Sequence, residues 1–416
     1  MKKNGFIMST YVYILLVFFL LLLGTMLVVL NNTRLLANKI KENTDGNIDF
    51  NLILKGDKEI ILKKDSEYIE PGYIATTFDG KNLDVNVMGE VNVNKLGEYD
   101  IIYIAEYKGV EKKIKRKVIV AENLVTYITN LYKTNNTSNN LKKDNTPDQN
   151  IRYYGSDPNN YVSFNNELWR IIGVFGNNVK LIRSEKLGDL SWDSSEESIN
   201  EGWGVNEWST SALKNYLNTM YYGGTSVTCY NAKNKQTTTC PTNKLNTESK
   251  TLIDYYTWKT GAIEMSKRTN TPAFYKSERG NVTGKICNGG SACNDTVERT
   301  TEWPGYIGLP YATDYAYASG ESICETNMVK QDSSNTYICK NNNWMFKPNT
   351  WYWTLSLDAY PSASRGVWLV HGVGSVANNN AAYGGAIFPA IYLKTDILIK
   401  SGTGRSNDPY ILKAGS

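Results

Sequence analysis

The stretch "YVYILLVFFLLLLGTMLVVL", residues 11–30, constrains this chain more than any other feature, because it holds 20 residues without one charge. Wound as a helix at about 1.5 Å per residue, it is long enough to cross about 30 Å of hydrocarbon. Lys2 and Lys3 precede it, so the short N-terminus is expected in the cytoplasm and the long remainder outside the cell. A cleaved secretion signal has a shorter apolar core, roughly 7 to 15 residues, and a small-x-small cut site. The following "NNTRLLANKIKEN" has no such site and places Leu35, Leu36 and Ile40 at helical spacing. One helix from about Phe6 to Lys41 is expected, which makes the membrane a partner and the protein single-pass.

A chain of 416 residues is too long for one core and predicts two or three domains. Formal net charge is only +4 with Lys and Arg spread along the chain, so no electrostatic footprint for nucleic acid is present. The 29 tyrosines, with Asn, Gly, Ser and Thr frequent in the second half, describe a β-rich, loop-rich exported surface. Six cysteines fall into three close pairs, Cys229 with Cys240, Cys287 with Cys293 and Cys324 with Cys339. Turn-forming residues between partners favour local disulfides over the fifteen possible connectivities, with free thiols as the alternative. Bridged cysteines place this part of the chain outside the cytoplasm.

The opening "MKKNGFIMST" resembles the class III signal of type IV pilins and pseudopilins, a short basic leader ending in Gly before Phe and an apolar helix. The resemblance implies a prepilin peptidase cutting between Gly5 and Phe6, and other pilin-like subunits as partners. It covers about the first 40 residues. The family usually has Glu at the fifth mature position, where a buried carboxylate needs a cationic partner, and this chain has Thr10. That departure favours a minor or tip subunit over a repeating shaft subunit. An uncleaved signal anchor is the alternative.

Beyond residue 46 apolar and polar residues alternate between turn signals. "FNLILKG", "EIILKKD", "GEYDIIYIAEYKG" and "VEKKIKRKVIVAE" read as strands, the last two as a hairpin with Lys108 and Gly109 in its turn. About seven strands are expected in a sandwich, with Tyr99, Ile101, Tyr103, Val118 and Val120 in its core. The segment resembles bacterial immunoglobulin-like spacer domains, including the type named after a pesticidal crystal protein. The residues that carry this are Tyr68, "EPGY" at 70–73, Ala75, Asp79-Gly80, "LGEYDIIYIA" and the closing "KVIVAE". The resemblance implies a stalk or adhesive module without catalysis. Glu70 and Asp79 are read as turn residues, since a calcium site wants about six to eight oxygens.

"LVTYITNLY" at 124–132 reads as a short helix, followed by a polar linker. Strands are then expected at 161–164, 167–175 and 178–184, turning at Asn165-Asn166 and Gly176-Asn177. A helix is expected over "STSALKNYLNTMYY", capped by Ser209 or Thr210 and facing inward with Leu213, Tyr216 and Leu217. Three further strands are expected in "TWYWTLSL", "RGVWLVHGVGSV" and "GGAIFPAIYLKTD". The motifs "NNELWRIIGVF", "NEWSTSALKNYLN", "WYWTLS", "RGVWLV" and "FPAIYLKTDILIKSGTGRSNDPYIL" resemble an uncharacterised domain of Firmicutes surface proteins. That domain is similar in turn to the C-type-lectin-like fold shared with formylglycine-generating enzymes. The resemblance implies recognition by long loops on a small sheet framework.

No catalytic, cofactor-binding or metal-ligating residue is assigned. His371 is alone among apolar residues on an expected strand, whereas metal sites and triads need several converging groups. "GVGSVA" lacks the helix that a dinucleotide fingerprint requires. Trp192, Trp203 and Trp208 are candidate ligand platforms, since exposed rings stack on sugars or peptides; core packing is the stronger reading, because Trp is highly buried on average. The expected organisation is a leader and membrane helix at 1–45, an all-β immunoglobulin-like sandwich at 46–122, a short helix and linker at 123–150, and an α+β C-type-lectin-like domain at 151–416. The expected function is a non-enzymatic, membrane-anchored surface protein of a Gram-positive bacterium. It would be a minor pilin-like subunit with an adhesive, lectin-like head for an unknown glycan or protein ligand. A plain signal-anchored adhesin is the alternative, followed by an enzyme with its site in the head.

Overall fold

A computed structural model describes residues 19, 22–30, 33 and 49–415, apart from 265–266, 269, 281–298, 330–337 and 360–363. Of the expected membrane helix, Phe19, residues 22–30 and Thr33 are described and helical. No helix of the described residues is long and apolar enough to cross a membrane. The rest of that segment, Gly5, Phe6, Cys287 and Cys293 lie outside the described residues. The chain is mostly β-sheet and divides into two compact units, one of residues 1–60, 68–91 and 99–118, the other of 61–67, 92–98 and 119–416.

Six strands lie between Phe50 and Asn123: Phe50–Leu54, Glu59–Lys63, Tyr73–Thr77, Val85–Met88, Gly97–Tyr107 and Val110–Asn123. There are fewer than the expected seven because the last two are long, 11 and 14 residues. Phe50–Leu54 pairs antiparallel with Tyr73–Thr77, and Val85–Met88 with Gly97–Tyr107. Lys108 and Gly109 turn the chain with φ of 48° and 81°, the left-handed pair that a tight hairpin needs. Alternation then buries Ile101, Tyr103 and Ala105 on one side of their strand. Phe50, Leu52, Ala75 and Ala105 form a small apolar cluster. Arg116 is buried among these strands, its guanidinium donating to the Glu70 carboxylate and to the carbonyls of Lys55, Asp57 and Gly72. Glu70 also accepts from Gly72 N–H, while Asp79 accepts from Thr77.

In the larger unit one sheet runs in the order Ile307–Gly308, Ala390–Tyr392, Asn178–Arg183, Glu167–Phe175, Tyr161–Phe164, Tyr410–Lys413, Leu398–Ser401. The turn at Asn165-Asn166 has φ of 59° and 58°, and Gly176 has 60°. Asn tolerates this region better than most side chains, so the reading of both hairpins from sequence holds. A second sheet orders Asp189–Ser191, Gly384–Ala386, Tyr352–Ala359, Gly366–Val370 and Val376–Asn380. All eight residues of Tyr352–Ala359 are buried, as expected for a strand covered on both faces. Trp169, Trp192, Trp208, Trp258 and Trp353 are fully buried in this unit's core. At ~25 cal/mol per Å² and ~200 Å² each, every one contributes about 5 kcal/mol of transfer free energy before ordering costs.

Two local expectations change. The helix expected from Ser209 is a 3-10 turn at Trp208–Thr210, an α-helical turn at Ala212–Asn215 and a π-helical stretch at Tyr216–Tyr222. Its cap is Ser211, in extended conformation with its hydroxyl accepting from Lys214 N–H, because the preceding 3-10 turn engages Ser209 and Thr210 themselves. His371 lies one residue beyond the strand Gly366–Val370, exposed, in a turn closed by Gly374 N–H on its carbonyl. The helix Leu124–Asn135 forms as expected, with Asn123 accepting from Thr126 N–H at its start.

Candidate ligand-binding site

The larger unit contains a cavity of about 470 Å³, within the roughly 300 to 1,000 Å³ usual for small-molecule sites. Six separate segments build it. Asp148 and Asn150 come from the loop before the strand Ile151–Tyr153, and Phe175 with Gly176 from a hairpin end. Tyr256 and Lys259 lie at the two ends of the strand Tyr256–Lys259. Tyr275 comes from a helix and Arg279 from the residue that ends it, and Tyr311 and Tyr392 complete the wall.

The helix Thr271–Glu278 positions the two residues that matter most. Asn270 caps it by accepting from Ala273 N–H, and Pro272 fits its first turn, where a missing N–H costs nothing. Arg279 is the residue just past its end, where the chain leaves helical geometry and the side chain turns back onto Tyr275. The Arg279 guanidinium lies 3.5 Å from the Tyr275 ring centroid and 4.7 Å from that of Tyr311. Among the described residues its one hydrogen-bond partner is the Glu278 carboxylate, at 3.2 Å. Tyr275 donates from its hydroxyl to Asp148 Oδ2 at 2.6 Å and accepts from Asn150 Nδ2 at 2.8 Å. Tyr256 and Tyr392 stack with centroids 3.7 Å apart, and Tyr311 is fixed by a hydroxyl that donates to Lys259 O at 2.8 Å.

Behind the aromatic wall lies a buried charge network. Arg152 donates to Asp144 at 2.7 Å and to Asp314 at 2.6 Å, and Lys180 donates to the other Asp314 oxygen at 2.6 Å. Lys180 Nζ also sits 4.2 Å from the Tyr311 ring centroid. Burial pushes the Asp314 carboxyl up, but Lys180 and Arg152 outweigh it and hold it at about 2. Burial lowers Lys180 to about 8 in spite of Asp314. Both therefore remain charged at neutral pH. Glu278 is buried too and its carboxyl is raised by that burial, although it accepts from Ser356 at 2.6 Å and from the Thr313 hydroxyl at 2.5 Å. Burial lifts the Tyr275 hydroxyl to about 12, so it remains a neutral donor.

The tryptophans singled out from sequence lie elsewhere. Trp192 and Trp208 are fully buried with centroids 5.3 Å apart, and Trp192 donates to Thr354 O. Trp203 is half-buried against Tyr383 at 4.9 Å, with Lys233 Nζ 5.2 Å from its ring. Asp193 organises this loop by accepting from Val205 N–H at 2.8 Å and Ala212 N–H at 3.0 Å; burial nevertheless raises its carboxyl to about 6. Disulfides join Cys229 to Cys240 and Cys324 to Cys339. Of the cavity residues, the sequence marks Phe175, Gly176 and Tyr392 as strand or turn positions and none as part of a site.

Comparison with known proteins bears on the smaller unit. Residues 52–120 match the family model described as "Bacterial surface protein, Ig-like domain". No curated protein matches the chain. Among solved structures, a lipoprotein from Bacteroides thetaiotaomicron is similar at 36% identity over 18% of this chain, with a TM-score of 0.17. The chain spans 39% of that lipoprotein's length. Residues 52–120 are thus an Ig-like domain of the kind found in bacterial surface proteins.

Proposed function

We propose that this surface protein displays its larger unit as a recognition head, with the Ig-like domain as spacer and the Tyr275–Arg279 cavity as the binding site. The observation that carries the reading is Arg279, a guanidinium in a ligand-sized cavity whose one described hydrogen-bond partner is Glu278. Buried polar groups are normally satisfied within the fold, so donor capacity facing a cavity is capacity for a ligand. The head is read as a binder rather than an enzyme, because the chemistry assembled at the cavity is one of cation, rings and hydrogen-bond acceptors. The test is a screen of the full chain against glycans and peptides, with Arg279→Ala as comparison. Binding that survives Arg279→Ala unchanged removes the cavity from the reading.

The leader "KKNGF" supports a finer version, in which the chain is a minor pilin-like subunit cut after Gly5. Mass spectrometry of the mature N-terminus decides it. A chain starting at Phe6 supports the pilin-like subunit, and an intact Met1 leaves a signal-anchored adhesin.

A further inference from the structure

We infer that the cavity takes a carboxylate-bearing pyranose at the end of a glycan, with the carboxylate on Arg279 and the ring against the tyrosines. This rests on the reading of the larger unit as a recognition head and names the chemistry of its ligand. Three observations converge. First, the Arg279 guanidinium is packed 3.5 Å from the Tyr275 ring centroid and anchored by Glu278; a planar fork so placed fits a carboxylate through two parallel N–H bonds. Second, the wall around it is aromatic, with Tyr256 and Tyr392 stacked on each other and Tyr311 pinned by Lys259. Rigid rings with polar tips suit a ligand that has both C–H faces and hydroxyls. Third, Asp148 stands exposed at the rim with Oδ2 committed to Tyr275, leaving its other oxygen to accept from a ligand hydroxyl.

Charge narrows the class further. The lining carries Arg279 and Lys259 against a negative Asp148 at its mouth, with Glu278 paired to Arg279 behind it. A monoanion with hydroxyl groups is complementary to that pattern, whereas a phosphate dianion meets repulsion from Asp148 at short range. The volume of about 470 Å³ suits one or two sugar rings, not a long oligosaccharide.

The experiment uses the full chain in detergent micelles on an array of glycans ending in glucuronic or sialic acid, each beside its methyl ester, with neutral glycans and free-carboxylate peptides alongside. The acid is expected to bind roughly 10 to 100 times more tightly than its ester, the factor that follows from one charged hydrogen-bonded pair. Arg279→Lys is expected to lose most of that factor, and Asp148→Asn to weaken binding several-fold while the acid remains preferred. The acid–ester comparison needs no variant, and Asp148 is exposed, so misfolding cannot hide the outcome. Neutral glycans or esters binding as tightly as acids, or binding confined to peptides, overturns the inference and leaves the recognition head standing. Binding of nothing on the array overturns both.

Discussion

Two arginines, one in each unit, divide the molecule by purpose. Arg116 in the Ig-like domain is saturated, with four acceptors around one guanidinium. Arg279 lines a cavity and has one acceptor among the described residues. The same side chain is therefore a clip in one place and, in the function proposed above, a receptor in the other. The first should be costly to remove and carry no binding, the second the reverse.

The comparison can be broken in order of expected effect. Asp314→Ala leaves Lys180 and Arg152 buried without their shared carboxylate and should cost about 3 to 5 kcal/mol. Chemical denaturation followed by tryptophan fluorescence reads this, because the fully buried tryptophans lie in the larger unit. Arg116→Met removes four donated bonds, leaves the carbonyls of Lys55 and Asp57 without this donor and takes the cation from Glu70, and should cost about 3 kcal/mol, read as a lower melting temperature of the Ig-like domain. A loss below about 1 kcal/mol would mean that the clip is replaceable.

Asp193→Asn sharpens the picture through pH. The Asp193 carboxyl sits at about 6 in the fold against an ordinary 3.8. A raised carboxyl binds its proton more tightly folded than unfolded, so its contribution is favourable below about pH 4 and is lost as pH rises through about 6. Over that window the native protein should lose on the order of 2 to 3 kcal/mol relative to Asp193→Asn. Parallel denaturant midpoints of the two proteins from pH 4 to 7 would contradict the assignment. Arg279→Met should change stability least, by about 1 kcal/mol, because Glu278 keeps its bonds to Ser356 and Thr313. A loss as large as that of Arg116→Met would place Arg279 with the clips.

Local chemistry was readable and long-range convergence was not. Lys108-Gly109 and Asn165-Asn166 announced their hairpins because left-handed backbone restricts which residues fit. Alternation around Ile101 and Tyr103 marked a buried face because a strand repeats every two residues. The cap at Ser211 was misplaced by one or two residues, since "STS" offers three hydroxyls and the 3-10 turn chooses among them. The tryptophans drew notice by size, yet two of them fill the core. The cavity escaped because Asp148, Tyr275 and Tyr392 are joined only by the fold, and the eight-residue helix that ends just before Arg279 is too short to impose a clear period.

The two described disulfides have a mechanical consequence for the larger unit. Their partners are 11 and 15 residues apart, so together they withhold only about 90 Å of extensible chain at ~3.5 Å per residue. Flow or a tethered ligand pulling on the larger unit is resisted by its packed sheets and buried charges, since such short loops leave most of the chain free to unravel. Reduction of these two bridges should lengthen a stretched molecule by little more than that amount.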